Sequence, residues 1–119
     1  MIQQLPPLAG LRVIESSILG PAAITTSFVD LGAEVIKVES PSGDYIREMT
    51  WPIIEGVSLM HYHLNRGKKS ITLDLKTESG RAALLRLVDT ADVFVHSMRP
   101  AAAERLGVGY AEISARNPH

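Results

Sequence analysis

The sequence contains no cysteine. That single absence excludes disulfides, thiolate nucleophiles and cysteine-ligated zinc together. It also lacks a charge of dominant sign: the formal net charge is −1, so no global positive field exists to hold nucleic acid or an anionic membrane. Any anion site must be local. No stretch approaches the roughly 20 consecutive apolar residues that span a bilayer. The opening MIQQLPPLAGLRV has neither a basic n-region nor a long apolar h-region, so a leader is not expected and a cytoplasmic location is. Finally, the turn after the first apolar run reads SSILGPAA, with one glycine. The G-x-G-x-x-G fingerprint of a standard NAD site is therefore missing.

What is present is ordinary globular material. Hydrophobic residues make up 45% and charged residues 21% of 119 positions, far from the profile of a disordered chain. That length allows one core, burying roughly two-thirds of the surface exposed by the unfolded chain.

Periodicity orders the chain. Leu11, Val13 and Ile14 make a short β-branched run, which predicts a strand over 11–15. Gly20-Pro21 suits a helix start, and Ile24, Phe28 and Leu31 recur at helical spacing up to Gly32, predicting a helix over 22–31. EVIKVE reads as a strand buried on both faces. From Pro41 to Arg66 the signals mix a PSGD turn with a stretch that is either a broken helix or a surface excursion. KSITLDL alternates, with Ile71, Leu73 and Leu75 on one face, predicting a half-buried strand. Thr77 is a candidate N-cap for an amphipathic helix over 78–91. DVFVHS then reads as a fully buried strand. Pro100 opens a short helix that Gly107 stops, and Tyr110 to Arg116 forms a last helical turn or two. Strands alternating with helices predict an α/β fold, a Rossmann-like parallel sheet with flanking helices. The alternation stops where one more strand is due, so the sheet is expected to be incomplete at the C-terminus, with a partner chain or further sequence covering the open edge.

Several side chains carry chemistry, each with two readings. The start of the first helix can aim free N–H groups at a phosphate, or be a plain strand-to-helix turn. Arg66, Lys68, Lys69 and Lys76 gather around one strand, as a phosphate cradle or a solvated turn. Arg99 and Arg105 lie beyond the end of DVFVHS, where ligands bind in open α/β sheets. A guanidinium fork suits a phosphate there, and a salt bridge from Arg105 to Glu104 or Glu112 is the alternative. His61 and His63 could share a metal only on extended backbone; no metal is expected. His96 is a strand-end residue or a substrate contact, and Asp74 reads as a solvated acid. No Ser/His/Asp or paired-carboxylate arrangement is evident.

Taken in order, PLAGLRVIE, the Gly20-Pro21 turn, DLGAEVIKVESPSGD, NRGKKSITLDLKTESGR, ADVFVHSMRP and ERLGVGYAEISARNP resemble the opening of the family III CoA-transferases. That group includes formyl-CoA transferase, the carnitine CoA-transferase and bile-acid-inducible F type, and α-methylacyl-CoA racemase. The likeness runs from Leu8 to Pro118. It implies that residues 1–119 are the N-terminal segment of a CoA-binding large domain, with coenzyme A or acyl-CoA as substrate. It also implies an interlocked homodimer and a catalytic aspartate beyond this segment. Matched position by position, it implies CoA contacts at Ser17, Ile18 and Leu19, at Ser40, at Leu73, Leu75 and Lys76, at Ser97, Met98 and Arg99, and at Arg105. Three departures stand out. The first loop is shorter than the family's, Ser40 replaces a common arginine, and Ala101 replaces a common glycine. The sequence leaves open an acyl-CoA transferase segment, a racemase segment, a stand-alone CoA- or nucleotide-binding module, and a structural piece that binds no ligand.

Overall fold

The computed structural model describes residues 4–119; Met1, Ile2 and Gln3 of the domain assigned to the whole chain lie outside the described residues. The first strand, β1 (Arg12–Ser16), places Val13 and Ile14 on opposite faces, both fully buried. A strand with both faces buried must sit inside a sheet covered by helices on each side. Helix α1 (Gly20–Asp30) starts two residues earlier than the spacing predicts, with Pro21 in its first turn. Gly32, at φ 98, lets the chain reverse into β2 (Glu34–Glu39).

The segment that the sequence left open contains three small pieces. A 3₁₀ turn at Tyr45–Arg47 is capped by Asp44, whose carboxylate accepts from the Ile46 N–H at 3.1 Å. An antiparallel pair follows, β3 (Pro52–Ile54) with β4 (Val57–Ser58), and then α2 (Leu59–Asn65). Ser58 Oγ caps α2 by accepting from the His61 N–H at 3.0 Å.

Strand β5 (Lys69–Thr72) is shorter than the alternation of KSITLDL predicts. Beyond Thr72 the Asp74 carboxylate accepts the Lys76 N–H and its carbonyl the Thr77 N–H, both at 3.0 Å, which folds Asp74–Thr77 into a turn. Leu73 and Leu75 bend against the core, while Ile71 stays exposed because β5 is an edge strand. Thr77 caps α3 (Glu78–Val88) as expected, accepting from the Gly80 N–H at 3.0 Å, but α3 ends at Val88 instead of reaching residue 91. Strand β6 (Val93–His96) is half-buried, not fully buried, since it forms the other sheet edge. The short helices α4 (Pro100–Arg105) and α5 (Tyr110–Arg116) follow.

All four long-range strands pair in parallel, in the order β5-β2-β1-β6. This is the order of the first four strands of a doubly wound fold. One face carries Ile14, Val38, Leu84, Val88, Ala103 and Val108 under α3, α4 and α5. The other carries Val13, Ala33 and Val35 with Phe28 and Val29 of α1. The chain steps outward from β1 to β2 to β5, then returns to place β6 on the opposite flank of β1. The topological switch point therefore lies between β1 and β6.

Candidate functional site

A doubly wound sheet opens a crevice beyond its strand carboxyl ends at the switch point, because the connections there leave in opposite directions. Here that crevice is a cleft of about 170 Å³ at the ends of β1, β2 and β6. Ser17, Ile18, Ser40 and Ser97, four of the residues implied by resemblance, line it together. Leu19 follows at the N-cap of α1 with φ 51 and ψ −117, a conformation that costs a non-glycine residue about 1–3 kcal/mol. Neither an acidic side chain nor a side-chain cap occupies the first turn of α1.

The remaining implied residues sit at the strand ends with different exposures. Leu73 and Leu75 are half-buried against the core and Lys76 is exposed. Met98 packs on the core, Arg99 is the exposed N-cap of α4, and Arg105 is exposed in its last turn. Among the described residues, neither Arg99 nor Arg105 makes a salt bridge, so the expected alternative of pairing with Glu104 or Glu112 is not what the structure shows. Two of the cleft side chains already have partners within the protein. Ser17 Oγ donates to Glu15 Oε1 at 2.9 Å. Ser40 Oγ bonds within its own turn, to Ser42 Oγ at 2.9 Å and the Gly43 carbonyl at 3.2 Å.

The cation cradle around β5 does not form. Arg66 pairs with Asp30 at 2.6 Å, Lys69 with Glu34 at 2.5 Å, and Lys68 is buried against Glu15 at 2.8 Å. Three of the four cations are thus neutralised by acids distant in sequence, which periodicity could not show. Lys76 alone of the four carries no salt bridge among the described residues. His61 and His63 both lie on α2, where residues two apart project from different sides. Burial, with Arg47 nearby, lowers the His61 pKa, and its Nδ1 lies 3.2 Å from Asn65 Nδ2. His96 stacks obliquely on Phe94 at 5.6 Å, with Nδ1 buried and unpartnered. It lines a second cleft of about 280 Å³ along the β6 edge, with Val93, Ile113 and Pro118, and not the switch-point cleft. The larger cleft lies along the sheet edge; the smaller lies where the fold directs ligands.

The sequence reading missed a buried ionic network of which two members, Lys37 and Asp44, line the cleft and two, Glu15 and Lys68, do not. Glu15 and Lys37 are cross-strand partners in the β1–β2 register, and their side chains face α1, not solvent. Lys37 Nζ lies 3.1 Å from both Glu15 Oε1 and Asp44 Oδ2. Lys68 Nζ lies 2.8 Å from Glu15 Oε2, and Thr25 Oγ1 donates to the same oxygen at 2.5 Å. All four charged side chains are at most 2% exposed. A signal existed: Glu15 directly follows Val13-Ile14, and Lys37 stands between Ile36 and Val38, so each β-branched run carries an adjoining charge, opposite in sign. Only the register, however, places them opposite one another.

Glu39, at the end of β2, shows what that neighbourhood does to acidity. Burial works to raise its carboxyl, but hydrogen bonds from Arg47 at 2.6 and 2.9 Å and from Ser70 at 2.8 Å prevail, holding it at about 2 instead of 4.5. A depressed folded pKa contributes stability that is present above the unfolded value and lost as pH falls toward the folded one. Between about pH 4.5 and 2, unfolding should therefore take up about one proton from this group. Urea unfolding across that window should show Glu39→Gln with a flatter pH dependence; an identical profile would exclude Glu39 as its source.

Fold and cleft together define an α/β domain of the doubly wound class with a crevice at the switch point. The model of CoA-transferase family III matches residues 8–119, and the chain belongs to that family, in its N-terminal region. It is 42% identical over 122 residues to the succinate–glutarate CoA-transferase of Agrobacterium fabrum, covering 95% of this chain and 30% of that one. To the acetyl-CoA:oxalate CoA-transferase of Acetobacter aceti it is 42% identical over 114 residues, covering 94% and 29%. Among solved structures, a CAIB/BAIF family protein from Brucella suis superposes with a TM-score of 0.87 at 41% identity, covering 96% and 32%. The chain spans about 30% of the length of the curated relatives it matches.

Proposed function

We propose that this chain supplies the CoA-binding portion of an acyl-CoA transferase, an enzyme that moves CoA between carboxylic acids, with the catalytic aspartate outside these residues. One observation carries the proposal: the cleft at the β1–β6 switch point gathers Ser17, Ile18, Ser40 and Ser97 in a chain of the CoA-transferase family. Leu73, Leu75, Lys76, Met98, Arg99 and Arg105 extend the ligand surface along the strand ends. Exposed Arg99 and Arg105, free of salt bridges among the described residues, have guanidinium groups available to meet phosphates bidentately. An apolar lining from Ile18 and the leucines suits the adenine and the pantetheine arm. At about 170 Å³ the cleft holds only part of such a ligand, whose sites typically run to roughly 300–1,000 Å³. A cytoplasmic location and a homodimer belong to the same proposal. Exposed Trp51, Ile53, Ile54 and Tyr62 offer apolar surface for a second copy. Among the described residues no helix is long and apolar enough to cross a membrane.

The test is titration with CoA by calorimetry. Arg99→Ala and Arg105→Ala should each weaken binding by roughly tenfold or more, about 1.4 kcal/mol, and leave the denaturation midpoint unchanged. Heat release unaltered by both substitutions would remove the arginines from the site. No heat at millimolar CoA from the parent chain would overturn CoA binding itself.

A further inference from the structure

The turn Ser17–Leu19 joins β1 to α1 and, with the first three helical residues Gly20–Ala22, forms a segment that borders the cleft through Ser17 and Ile18. Two buried ammonium groups hold its two ends. Lys37 Nζ donates to the Ser17 carbonyl at 2.5 Å, and Lys68 Nζ donates to the Ala22 carbonyl at 2.7 Å. Both also bind one carboxylate, Lys37 at Glu15 Oε1 (3.1 Å) and Lys68 at Glu15 Oε2 (2.8 Å). The spacing of the two oxygens thus sets the spacing of the two clamps. Each lysine has a third contact, Asp44 Oδ2 at 3.1 Å for Lys37 and Asn65 Oδ1 at 3.0 Å for Lys68. An ammonium has three N–H donors, and each lysine has three oxygens around it, although the Lys37–Asp44 contact is an ion pair without hydrogen-bond geometry.

The two carboxylates and two ammoniums cancel in charge, and none of them is open to solvent. Lys37 and Asp44 reach the wall of the cleft but Glu15 and Lys68 do not, so neither ligand contact nor solubility accounts for the network as a whole. Nor is stability a sufficient reason for them, because well-packed apolar residues of similar volume often serve a core as well as a buried ion network does. What the network supplies that apolar residues could not is direction: two donors aimed at two backbone carbonyls on either side of the strained Leu19. A strained turn persists only where its surroundings over-determine it.

We infer that Lys37 and Lys68 are positioning residues that clamp the segment Ser17–Ala22, the β1–α1 turn and the helix start, in the conformation that receives the ligand. The ligand half of this inference rests on the CoA-binding proposal above; the clamp half stands without it. The test uses the full chain carrying the charge-balanced pair Lys37→Met with Asp44→Asn, which removes one clamp and leaves Glu15 paired with Lys68. Backbone ¹⁵N order parameters, measured without ligand, should fall at Ile18, Leu19 and Gly20 from the rigid value of about 0.85 to below about 0.6. Those of Val13 and Val35 should not move, and CoA affinity should drop by roughly tenfold. Val88→Ala, a core truncation away from the turn, should change neither readout, which separates positioning from general destabilisation. Unchanged order at residues 18–20 in the folded double variant overturns the clamp. Loosened residues with unchanged CoA affinity, or a parent chain that binds no CoA, overturn the ligand half and leave the clamp standing. If the double variant does not fold, Lys68→Arg decides by the same two readouts, since it keeps the charge but not the tetrahedral set of donors.

Discussion

Glu15→Ala should cost the fold about 3–5 kcal/mol, seen as a lower urea midpoint with an unchanged slope. Glu15 is fully buried and accepts from Lys37, Lys68, Ser17 and Thr25. Removing it leaves two ammonium groups in the interior with one acidic partner, Asp44, which reaches only Lys37. Desolvating a charge without compensation is among the largest single-residue penalties a domain can suffer. Glu15→Gln keeps the shape and part of the hydrogen bonding but not the charge, and should fall between the parent and the alanine variant. A loss below about 1 kcal/mol for the alanine variant, the scale of an exposed pair, would mean that the network is solvated in solution.

The second large effect has an unusual sign. In an ordinary helix, replacing glycine by alanine stabilises by up to about 1 kcal/mol. Gly80→Ala in α3 should instead destabilise by about 3 kcal/mol, the upper end of overpacking costs. A Cβ on residue 80 would sit 1.9 Å from the Asp74 carbonyl oxygen and 2.6 Å from its carbon, both backbone atoms that cannot rotate away. Either the helix start or the Asp74–Thr77 turn must move, and that turn carries Leu75 and Lys76. A measured gain in thermal midpoint would show that the turn does not pack against α3 so closely.

How far the sequence reaches is clearest residue by residue. Thr77 as a cap, Pro21 in a first turn and the β-branched run of EVIKVE are local signals, and each appears where its spacing places it. The interruption of KSITLDL after Thr72 was not legible, because alternation alone cannot report that the Asp74 carboxylate closes a turn. The half-burial of β6 was missed for a related reason: an apolar run looks the same at a sheet edge as at its centre. The site divides along the same line. Ser17, Ile18, Ser40 and Ser97 are separated in sequence yet meet at one cleft. Lys68, which resembles its exposed neighbours in composition, is instead buried.

Local patterning determined that this chain makes strands and helices in alternation, and ordered motifs determined its family. Only the tertiary structure decided which charges leave water. Glu15 and Lys37 lie 22 positions apart, and Lys68 lies 46 from Ala22; none meets its partner until β1, β2 and α1 are assembled. Periodicity is a property of neighbouring residues, whereas the electrostatic environment of a side chain depends on whatever the fold brings within a few ångströms of it.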